Sequence, residues 1–442
     1  MPITILEREY DENIKDLFLV SRELNKIPDS VAELTKLINL NISHNFITEI
    51  PDFINNLKNL DILWLKNNKI NKIPEKFTNI KLRYLALDSN NITIFPKCKF
   101  VNLKTLSLAA NGISEITNTI TDIDSLESLN LSNNKITNIP ESIIKLVNLK
   151  KLNMNHNKLG KISDFILQLK NLEYLCLVNN DIQEIPKNIS ELKKLNHLIL
   201  DHNLYIKEIP ESIFELKELV WLSICGNKIK NISSSIKKLV NLEILNLGQN
   251  EIDEIPESIF EIVSLTCLNL YNNNIKNISN SVSKLINLDA LFLDNNQIKE
   301  IPVNIEYCKY IKHLGLLGNQ IENISDNISK CVCLERLEIN NNRIKKIPDS
   351  LNNLINLKEL NLRENQIKEI PISIINLRRL QIFYYDDNPI ENINPIVQRF
   401  LDRIQNRGGN IHNIYNDGQN VHTSSIQKCV KESLIKILSF SL

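Results

Sequence analysis

The chain has 442 residues with 52 basic and 52 acidic side chains, so its formal net charge is zero, and 43% of its residues are hydrophobic. Zero net charge disfavours nucleic-acid binding, which normally needs an excess of basic residues on one face. No run of about 18 uninterrupted apolar residues occurs, so the sequence predicts no transmembrane helix.

The N-terminal part of the sequence predicts an intracellular location and a small N-terminal cap. They lack the basic start and apolar run of a secretory signal peptide. The eight cysteines are scattered and form no terminal cluster, which favours a reducing compartment. We therefore expect a cytoplasmic location. Leu17 and Leu19 begin the apolar pattern, but Arg22 stands where later coils have asparagine, so we expect residues 1–22 to form an N-terminal cap.

Asparagine recurs along the chain, mostly every 23 residues. A fixed period of this size predicts a solenoid of stacked coils, here over residues 23–393. Such a fold offers a broad surface, so we expect function on surfaces and at the ends. One extra residue follows Asn203, which predicts a local bulge. The asparagines expected to form a structural ladder are Asn45, Asn68, Asn90, Asn111, Asn134, Asn157, Asn180, Asn203, Asn227, Asn250, Asn273, Asn296, Asn319, Asn342, Asn365 and Asn388.

Residues 242–264 represent one coil. Apolar and polar residues alternate in its first half, which predicts a short strand with Leu245 and Leu247 in the core. The amide of Asn250 can donate and accept, so it can bond backbone groups of neighbouring coils where the chain turns. An Ile-Pro pair and apolar residues spaced by three predict a helical or 3₁₀ return arm. In the middle of the chain Ile-Pro alternates with Ile-Ser, for no evident functional reason.

The motif LxxLxLxxNxI over residues 17–393 resembles the leucine-rich repeat family. That resemblance implies an α/β fold, namely a right-handed horseshoe with a parallel inner sheet, short helical or 3₁₀ convex arms and a helical C-terminal cap. The 23-residue length with Ile-Pro is similar to the intracellular class of Ras-pathway scaffolds and plant intracellular Ras-group proteins. The heavy use of Asn, Ile and Lys also resembles repeat proteins of giant viruses. The family implies protein partners on the concave face, with small GTPases and phosphatases as candidate classes.

Three groups of side chains interrupt the small or polar background of the predicted concave face. Exposed aromatic residues on a rigid sheet are typical binding hot spots, although neighbours could instead shield them. The first group is Ile62, Trp64 and Tyr84; the second is Tyr174, Cys176, Val178, His197, Ile199 and Trp221, beside Asp201 and His202; the third is Tyr271, Phe292 and Leu317, beside Asp294 and His313. A mixed-charge zone follows, which could steer a partner or form internal ion pairs: Arg336, Glu338, Glu359, Arg363, Glu364, Asp386 and Asp387.

Catalytic and metal-binding signatures are missing from the sequence. No Walker A, Rossmann, kinase or HExxH motif occurs, and only 9 glycines are present. Cys331 and Cys333 form a lone CxC without the second pair that zinc would need. Cys176, His197 and Asp201 combine nucleophile and base types, but an open sheet without an oxyanion hole favours a binding surface. We therefore predict no enzyme activity, no cofactor and no metal.

Residues 394–442 should form a helical cap and a tail. Asn394 and Pro395 predict a helix over 395–406 that covers the last coil with an apolar stripe. A final helix after Ser424 is also expected, whereas the role of residues 407–442 stays open. We predict a non-catalytic scaffold or signalling regulator. The alternatives are a substrate adaptor for ubiquitin ligation whose tail recruits the machinery, and, less favoured, an enzyme built on His422 and Cys429 of the tail.

Overall fold

The computed structural model describes residues 2–410 apart from 75–76, 78–80, 97 and 99. Contacts divide the chain into two compact units, Met1–Trp221 and Leu222–Leu442. Both are built from the predicted coil, in which a three-residue strand is followed by a turn and a short 3₁₀ arm. The final helix expected after Ser424 lies outside the described residues.

The first unit begins with a hairpin that the sequence analysis did not predict. Strand β1 (Ile3–Ile5) pairs antiparallel with β2 (Arg8–Tyr10), and Ile3 and Ile5 are buried. Consecutive parallel strands follow in constant register. They are β3 Asp16–Phe18, β4 Asn39–Asn41, β5 Ile62–Trp64, β6 Tyr84–Ala86, β7 Thr105–Ser107, β8 Ser128–Asn130, β9 Lys151–Asn153, β10 Tyr174–Cys176 and β11 His197–Ile199.

Strand β12 (Trp221–Ser223) begins at the last residue of the first unit. The second unit continues the parallel pattern. Its strands are β13 Ile244–Asn246, β14 Cys267–Asn269, β15 Ala290–Phe292, β16 His313–Gly315, β17 Arg336–Glu338, β18 Glu359–Asn361 and β19 Ile382–Tyr384.

The return arms are 3₁₀ turns, together with two four-residue α-helices, α1 (Asn118–Thr121) and α2 (Asp164–Leu167). Each arm buries at least one apolar side chain, and full burial of such a side chain stabilises by roughly 1.5–3 kcal/mol. The 3₁₀ turns are Asp29–Glu33, Asp52–Asn56, Glu141–Lys145, Ile189–Glu191, Glu211–Glu215, Ser234–Lys238, Glu257–Glu261, Asn280–Lys284, Val303–Tyr307, Asp326–Lys330, Asp349–Asn353 and Ile372–Asn376.

The alternation of Ile-Pro and Ile-Ser in the second unit has a physical basis. Ser233, Ser279 and Ser325 each precede a 3₁₀ turn, and their hydroxyl oxygens accept a backbone N–H two residues later, at 3.1–3.3 Å. In the intervening coils Pro256 and Pro302 occupy this position with φ of −65° and −62°. Serine satisfies an N–H at the start of the turn, whereas proline fixes the backbone angle that the turn requires. The two residues are therefore alternative solutions to one local problem.

The recurring asparagines bond to the backbone in the way that Asn250 illustrates. Its Nδ2 donates to the carbonyls of Leu247 at 3.0 Å and Ile224 at 2.9 Å, and its Oδ1 accepts from the N–H of Ile229 at 2.9 Å. The preceding residue, Gln249, has φ of +52°, so the chain turns sharply there. One buried side chain thus satisfies three backbone groups that the turn would otherwise leave without partners.

The extra residue after Asn203 is accommodated at the surface. Leu204 has φ of +60°, and Leu204 and Tyr205 are 54% and 46% exposed. Asn203 is fully buried, and its Oδ1 accepts N–H groups from Asn180 and Ile182 at 3.0 and 3.1 Å. The insertion therefore moves two apolar side chains outward, while Asn203 keeps its bonds to the preceding coil.

Helix α3 (Pro395–Asn406) lies against the last coil, over the residues that the sequence predicted. Asn394 caps it by accepting the N–H of Ile396 at 2.9 Å. The sequence predicts an apolar stripe made of Ile396, Val397, Phe400, Leu401 and Ile404. The last four are buried, but Ile396 is 48% exposed, so the prediction is wrong for that residue. After the helix, Asn410 forms a bridge to Ile382 of β19.

Candidate functional site

Two aromatic groups lie on the strands of the first unit. In the first group, the rings of Trp64 and Tyr84 are 4.4 Å apart between centroids, on the neighbouring strands β5 and β6. The ammonium of Lys66 lies 5.0 Å from the centre of the Trp64 ring, within the range of a cation–π contact. Burial, together with the charge of Asp88, raises the pKa of Tyr84 to about 12, so its hydroxyl stays protonated. The group offers rigid, partly exposed aromatic area.

The second group forms one row across successive strands. Tyr174 stands directly opposite His197 in the register of β10 and β11, with their rings 5.9 Å apart. The ring of Trp221 lies a further 5.9 Å from that of His197. The backbone N–H of Trp221 donates to the backbone carbonyl of Asn196 at 3.0 Å, which fixes the backbone at the end of the row. The three rings therefore meet because their positions in the repeat are equivalent.

Exposure within this row differs from the prediction. Tyr174 and His197 are partly exposed, but Trp221 is only 3% exposed, and Cys176 and Ile199 are also buried. The expectation that these five side chains all stand open to a partner is therefore wrong for three of them. Strands only about 4.8 Å apart let a large ring cover its neighbours. The open part of the row is formed by Tyr174 and His197.

The pKa values of Cys176 and His197 are shifted in the directions opposite to those of an activated cysteine–histidine pair. Burial raises the pKa of the Cys176 thiol to about 11, and burial with the charge of Lys151 lowers the pKa of His197 to about 4. Both groups are consequently neutral near pH 7, whereas a nucleophilic cysteine needs a thiolate stabilised by a nearby positive charge. This arrangement favours contact with a partner over covalent chemistry.

The third group lies in the second unit and is more buried than expected. Tyr271 covers Gly248, where any Cβ would collide with its ring, and its hydroxyl lies 3.5 Å from the Cys225 thiol. Phe292 is 2% exposed, so it is a core side chain and the prediction of an exposed anchor is wrong. Its register partner on β16 is Gly315. Tyr271 and the partly exposed His313 remain at the surface.

Asp294 is a fully buried acidic group of the second unit. Its side chain is 1% exposed, and its Oδ1 accepts the N–H of Leu317 at 2.9 Å. Its Oδ2 has no hydrogen-bond partner among the described residues and lies above Gly315, where a Cβ would stand 2.5 Å away. Burial, followed by repulsion from Glu338, raises the pKa of Asp294 to about 8. Asp294 therefore carries a proton at neutral pH.

The mixed-charge zone forms ion pairs within the unit. Arg336 lies 2.8 Å from Glu359 and 4.0 Å from Glu338, and both glutamates are buried. Arg363 lies 2.8 Å from Asp387. These pairs favour the second of the two interpretations that the sequence allowed, a surface whose charges are balanced internally.

The Leucine rich repeat family matches residues 35–92, 101–159, 148–205, 195–252, 217–275, 240–298 and 332–390, which together exceed half of the chain. This chain is a leucine-rich repeat protein. A solved leucine-rich repeat protein of Leptospira interrogans is 30% identical, with 91% of this chain and 96% of that chain covered and a TM-score of 0.72. No protein with a curated description matches at a significant level.

Other solved leucine-rich repeat structures are similar over much of the chain. A plant peptide hormone receptor, RGFR1, solved in complex with RGF2, is 27% identical, covering 85% of this chain and 67% of that chain, with a TM-score of 0.61. An internalin of Listeria monocytogenes is 26% identical, covering 71% and 87%, with a TM-score of 0.63. Proteins with this repeat serve as interaction scaffolds or receptors, and the fold is typically a non-catalytic protein-binding one.

Within the described part of this leucine-rich repeat protein, no group of three or more His, Cys, Asp or Glu side chains is placed to hold a metal ion. No helix there is long and apolar enough to cross a membrane. Cys331 of the CxC pair is buried, and burial raises the pKa of its thiol to about 12. The sequence did not predict that Glu338 and Glu359 are buried. The alternation of apolar and polar residues places both on the side of the strand that faces away from the core.

Proposed function

We propose that the strand face of the first unit binds a protein partner through its two aromatic groups. The observation that carries this proposal is the row of Tyr174, His197 and Trp221, held in register with successive ring distances of 5.9 Å. Aromatic side chains supply large contact area with few rotatable bonds, so they are enriched at binding hot spots. In this row the buried Trp221 ring adjoins His197, and His197 adjoins Tyr174.

Charge and protonation fit a protein surface better than a charged small ligand. His197 is neutral at pH 7 because burial lowers its pKa, and the Tyr174 hydroxyl stays protonated because burial raises its pKa. Neutral rings cost less free energy to desolvate than charged groups. Beside the first group, Lys66 and Asp88 form an ion pair at 3.1 Å that could give polar specificity at the edge of the contact.

The finer assignment is also a proposal. The 23-residue coils and their Ile-Pro arms support an intracellular, cytoplasmic scaffold or signalling regulator, with small GTPases or phosphatases as partners. RGFR1 was solved with the peptide RGF2, so a peptide segment is a reasonable first ligand class. We propose that the chain is divided into an N-terminal cap (residues 1–22), a repeat array (23–393) and a C-terminal cap with a tail (394–442). Residues 411–442, on which the ubiquitin-adaptor and tail-enzyme alternatives depend, lie outside the described residues.

The test replaces the partly exposed aromatic side chains while keeping the core. We expect a Trp64→Ala, Tyr174→Ala double variant to keep its circular dichroism spectrum but to bind a captured partner at least about 10-fold more weakly, since hot-spot truncations cost about 2 kcal/mol or more. Affinity capture would supply the partner, and titration with the purified partner would measure Kd.

The matched control removes two aromatic rings of similar size elsewhere. Tyr307 and Tyr310 of the second unit are 52% and 63% exposed. A Tyr307→Ala, Tyr310→Ala variant should bind like the intact chain. Equal binding by both double variants would reject the aromatic groups as the partner site.

A further inference from the structure

A basic groove lies in the second unit between the last coil and helix α3. It has a volume of about 1000 Å³. Among the described residues that line it there is no aspartate or glutamate. The cationic side chains that line it are Lys358, Arg378, Arg379, Arg403 and Arg407. We call this the arginine groove. Such a concentration is unexpected in a chain whose net charge is zero.

Two elements bring the arginines together. Arg378 and Arg379 are consecutive residues in the turn between the 3₁₀ turn Ile372–Asn376 and strand β19. Arg403 and Arg407 are four residues apart at the end of α3, so they lie on one face of the helix. Their position complements the negative end of the helix dipole, but that explanation does not extend to Arg378, which is outside the helix.

Several of these charges have no acidic counterpart. Lys358 pairs with Glu335 at 2.7 Å, and Arg379 donates to the side-chain oxygen of Asn356 at 2.8 Å. For Arg378, Arg403 and Arg407 the described residues provide no ion pair, and all three side chains are exposed. The groove thus presents at least three guanidinium groups to solvent.

The floor of the groove is apolar. Leu380, Phe400 and Ile404 line it while being only 5–7% exposed, and Ile396 stands at its rim with 48% exposure. Gly409, which also lines the groove, lies so close to β19 that a Cβ there would collide with the carbonyl of Gln381. Guanidinium groups around an apolar floor suit a ligand that carries both carboxylates and an apolar side chain.

We propose that the arginine groove binds an acidic segment of a partner protein that carries one large apolar side chain as an anchor. Phe400 is only 7% exposed, so the described lining offers no open aromatic face. This favours such a peptide over single-stranded nucleic acid, whose bases stack on exposed aromatic faces. The chain's own residues 411–442 are a poor match in charge, since they contain three lysines against Asp417 and Glu432. This surface is separate from the aromatic groups of the first unit and does not depend on them.

The experiment uses the full chain and labelled synthetic peptides. One peptide has six glutamates around a central leucine; the second replaces the glutamates with glutamine; the third replaces the leucine with glycine. We expect saturable binding of the first by fluorescence anisotropy, with Kd rising at least 10-fold for each of the other two. Binding should also weaken as salt increases, because exposed charge pairs are screened.

Variants locate the binding site. Arg378→Gln with Arg403→Gln removes two exposed charges without changing the buried floor, and Kd for the acidic peptide should rise at least 10-fold. Lys187→Gln with Lys207→Gln removes two exposed charges from the first unit and should leave Kd unchanged. Equal weakening by both pairs, or unchanged binding in the arginine variant, would overturn the proposal. An oligothymidine that binds more tightly than the acidic peptide and displaces it would overturn it in favour of nucleic acid.

Discussion

Asp88 of the first unit and Asp294 of the second occupy the same position in their coils, two residues before the ladder asparagine. Asp88 receives the hydroxyl of Ser107 from the next strand and pairs with Lys66 of the previous coil at 3.1 Å. At the positions equivalent to Ser107 and Lys66, Asp294 has Gly315 and Tyr271. Asp88 therefore has a hydroxyl donor and a cationic partner, whereas Asp294 has neither at these positions and burial raises its pKa.

The difference shows how a repeat protein varies chemistry on a constant backbone. Each side chain contacts mainly residues at equivalent positions in the coils before and after it. The surroundings of a side chain therefore depend on residues in the coils before and after it. Ser107 and Lys66 lie one coil from Asp88, whereas Glu338 lies two coils from Asp294. Residues adjacent in sequence to the two aspartates do not account for the contrast, since Leu87 and Leu293 precede them alike.

The largest effect should come from replacing Asp294 by Asn. An acid whose folded pKa is raised to about 8 destabilises the fold progressively as pH rises from about 4 to 8. The variant should match the intact chain near pH 4 and exceed its unfolding free energy by on the order of 5 kcal/mol at pH 9, since one pKa unit corresponds to about 1.4 kcal/mol. Chemical denaturation across this pH range would measure it. Asp88→Asn is the matched variant and should instead lose stability at pH 7, where its ion pair is removed.

Gly315→Ser would give Asp294 the donor that Ser107 gives to Asp88. We expect the hydroxyl to lower the pKa of Asp294 and to remove part of the loss of stability between pH 4 and 8. Gly315→Ala is the control, because it adds a Cβ 2.5 Å from Oδ2 without a donor, and it should cost about 1–3 kcal/mol. If serine and alanine variants have the same pH profile, steric room and not the missing donor controls Asp294.

His197 should give the first unit the opposite pH response. Its folded pKa of about 4 lies below the ordinary value of 6.5, so its stabilising contribution is present above pH 6.5 and lost as pH falls toward 4. His197→Gln should reduce this loss of stability at low pH, so that Tm rises by about 2–4 °C at pH 4.5 and does not change at pH 8. His313 of the second unit also has a lowered pKa, so His313→Gln tests whether the loss of stability at low pH comes from the first unit alone.

The smallest effect is expected for Lys66→Met. The lysine side chain is 38% exposed and its partner Asp88 13%, so the ion pair is partly screened. Loss of the pair should cost about 0.2–1 kcal/mol at low salt and less at 1 M salt. Tyr271→Lys offers the reverse experiment beside Asp294. A Lys66→Met cost as large as that of Asp88→Asn would show that Ser107 contributes little.

The sequence predicts the coil well because its signals are local and repeated. Asn250 identifies the turn, alternating leucines identify the strand, and Asn394 with Pro395 identifies the start of α3. Exposure on the strand face is less predictable, as Trp221 and Phe292 show. Alternation indicates which side of the strand a residue occupies, whereas burial depends on the size of its neighbours in other coils. The N-terminal hairpin was also missed, because Ile3–Ile5 and Arg8–Tyr10 are too short to give a pattern.

The bridge at Asn410 matters for how the molecule behaves in solution. Its N–H donates to Gln381 at 3.0 Å, and its carbonyl accepts from Phe383 at 2.9 Å, so part of the outermost strand has its backbone groups occupied. A strand without such cover is a template to which another chain can add. The residue that follows the arginine groove thus covers part of the outermost strand and opposes end-to-end polymerisation, so solubility at high concentration depends on the few residues after α3.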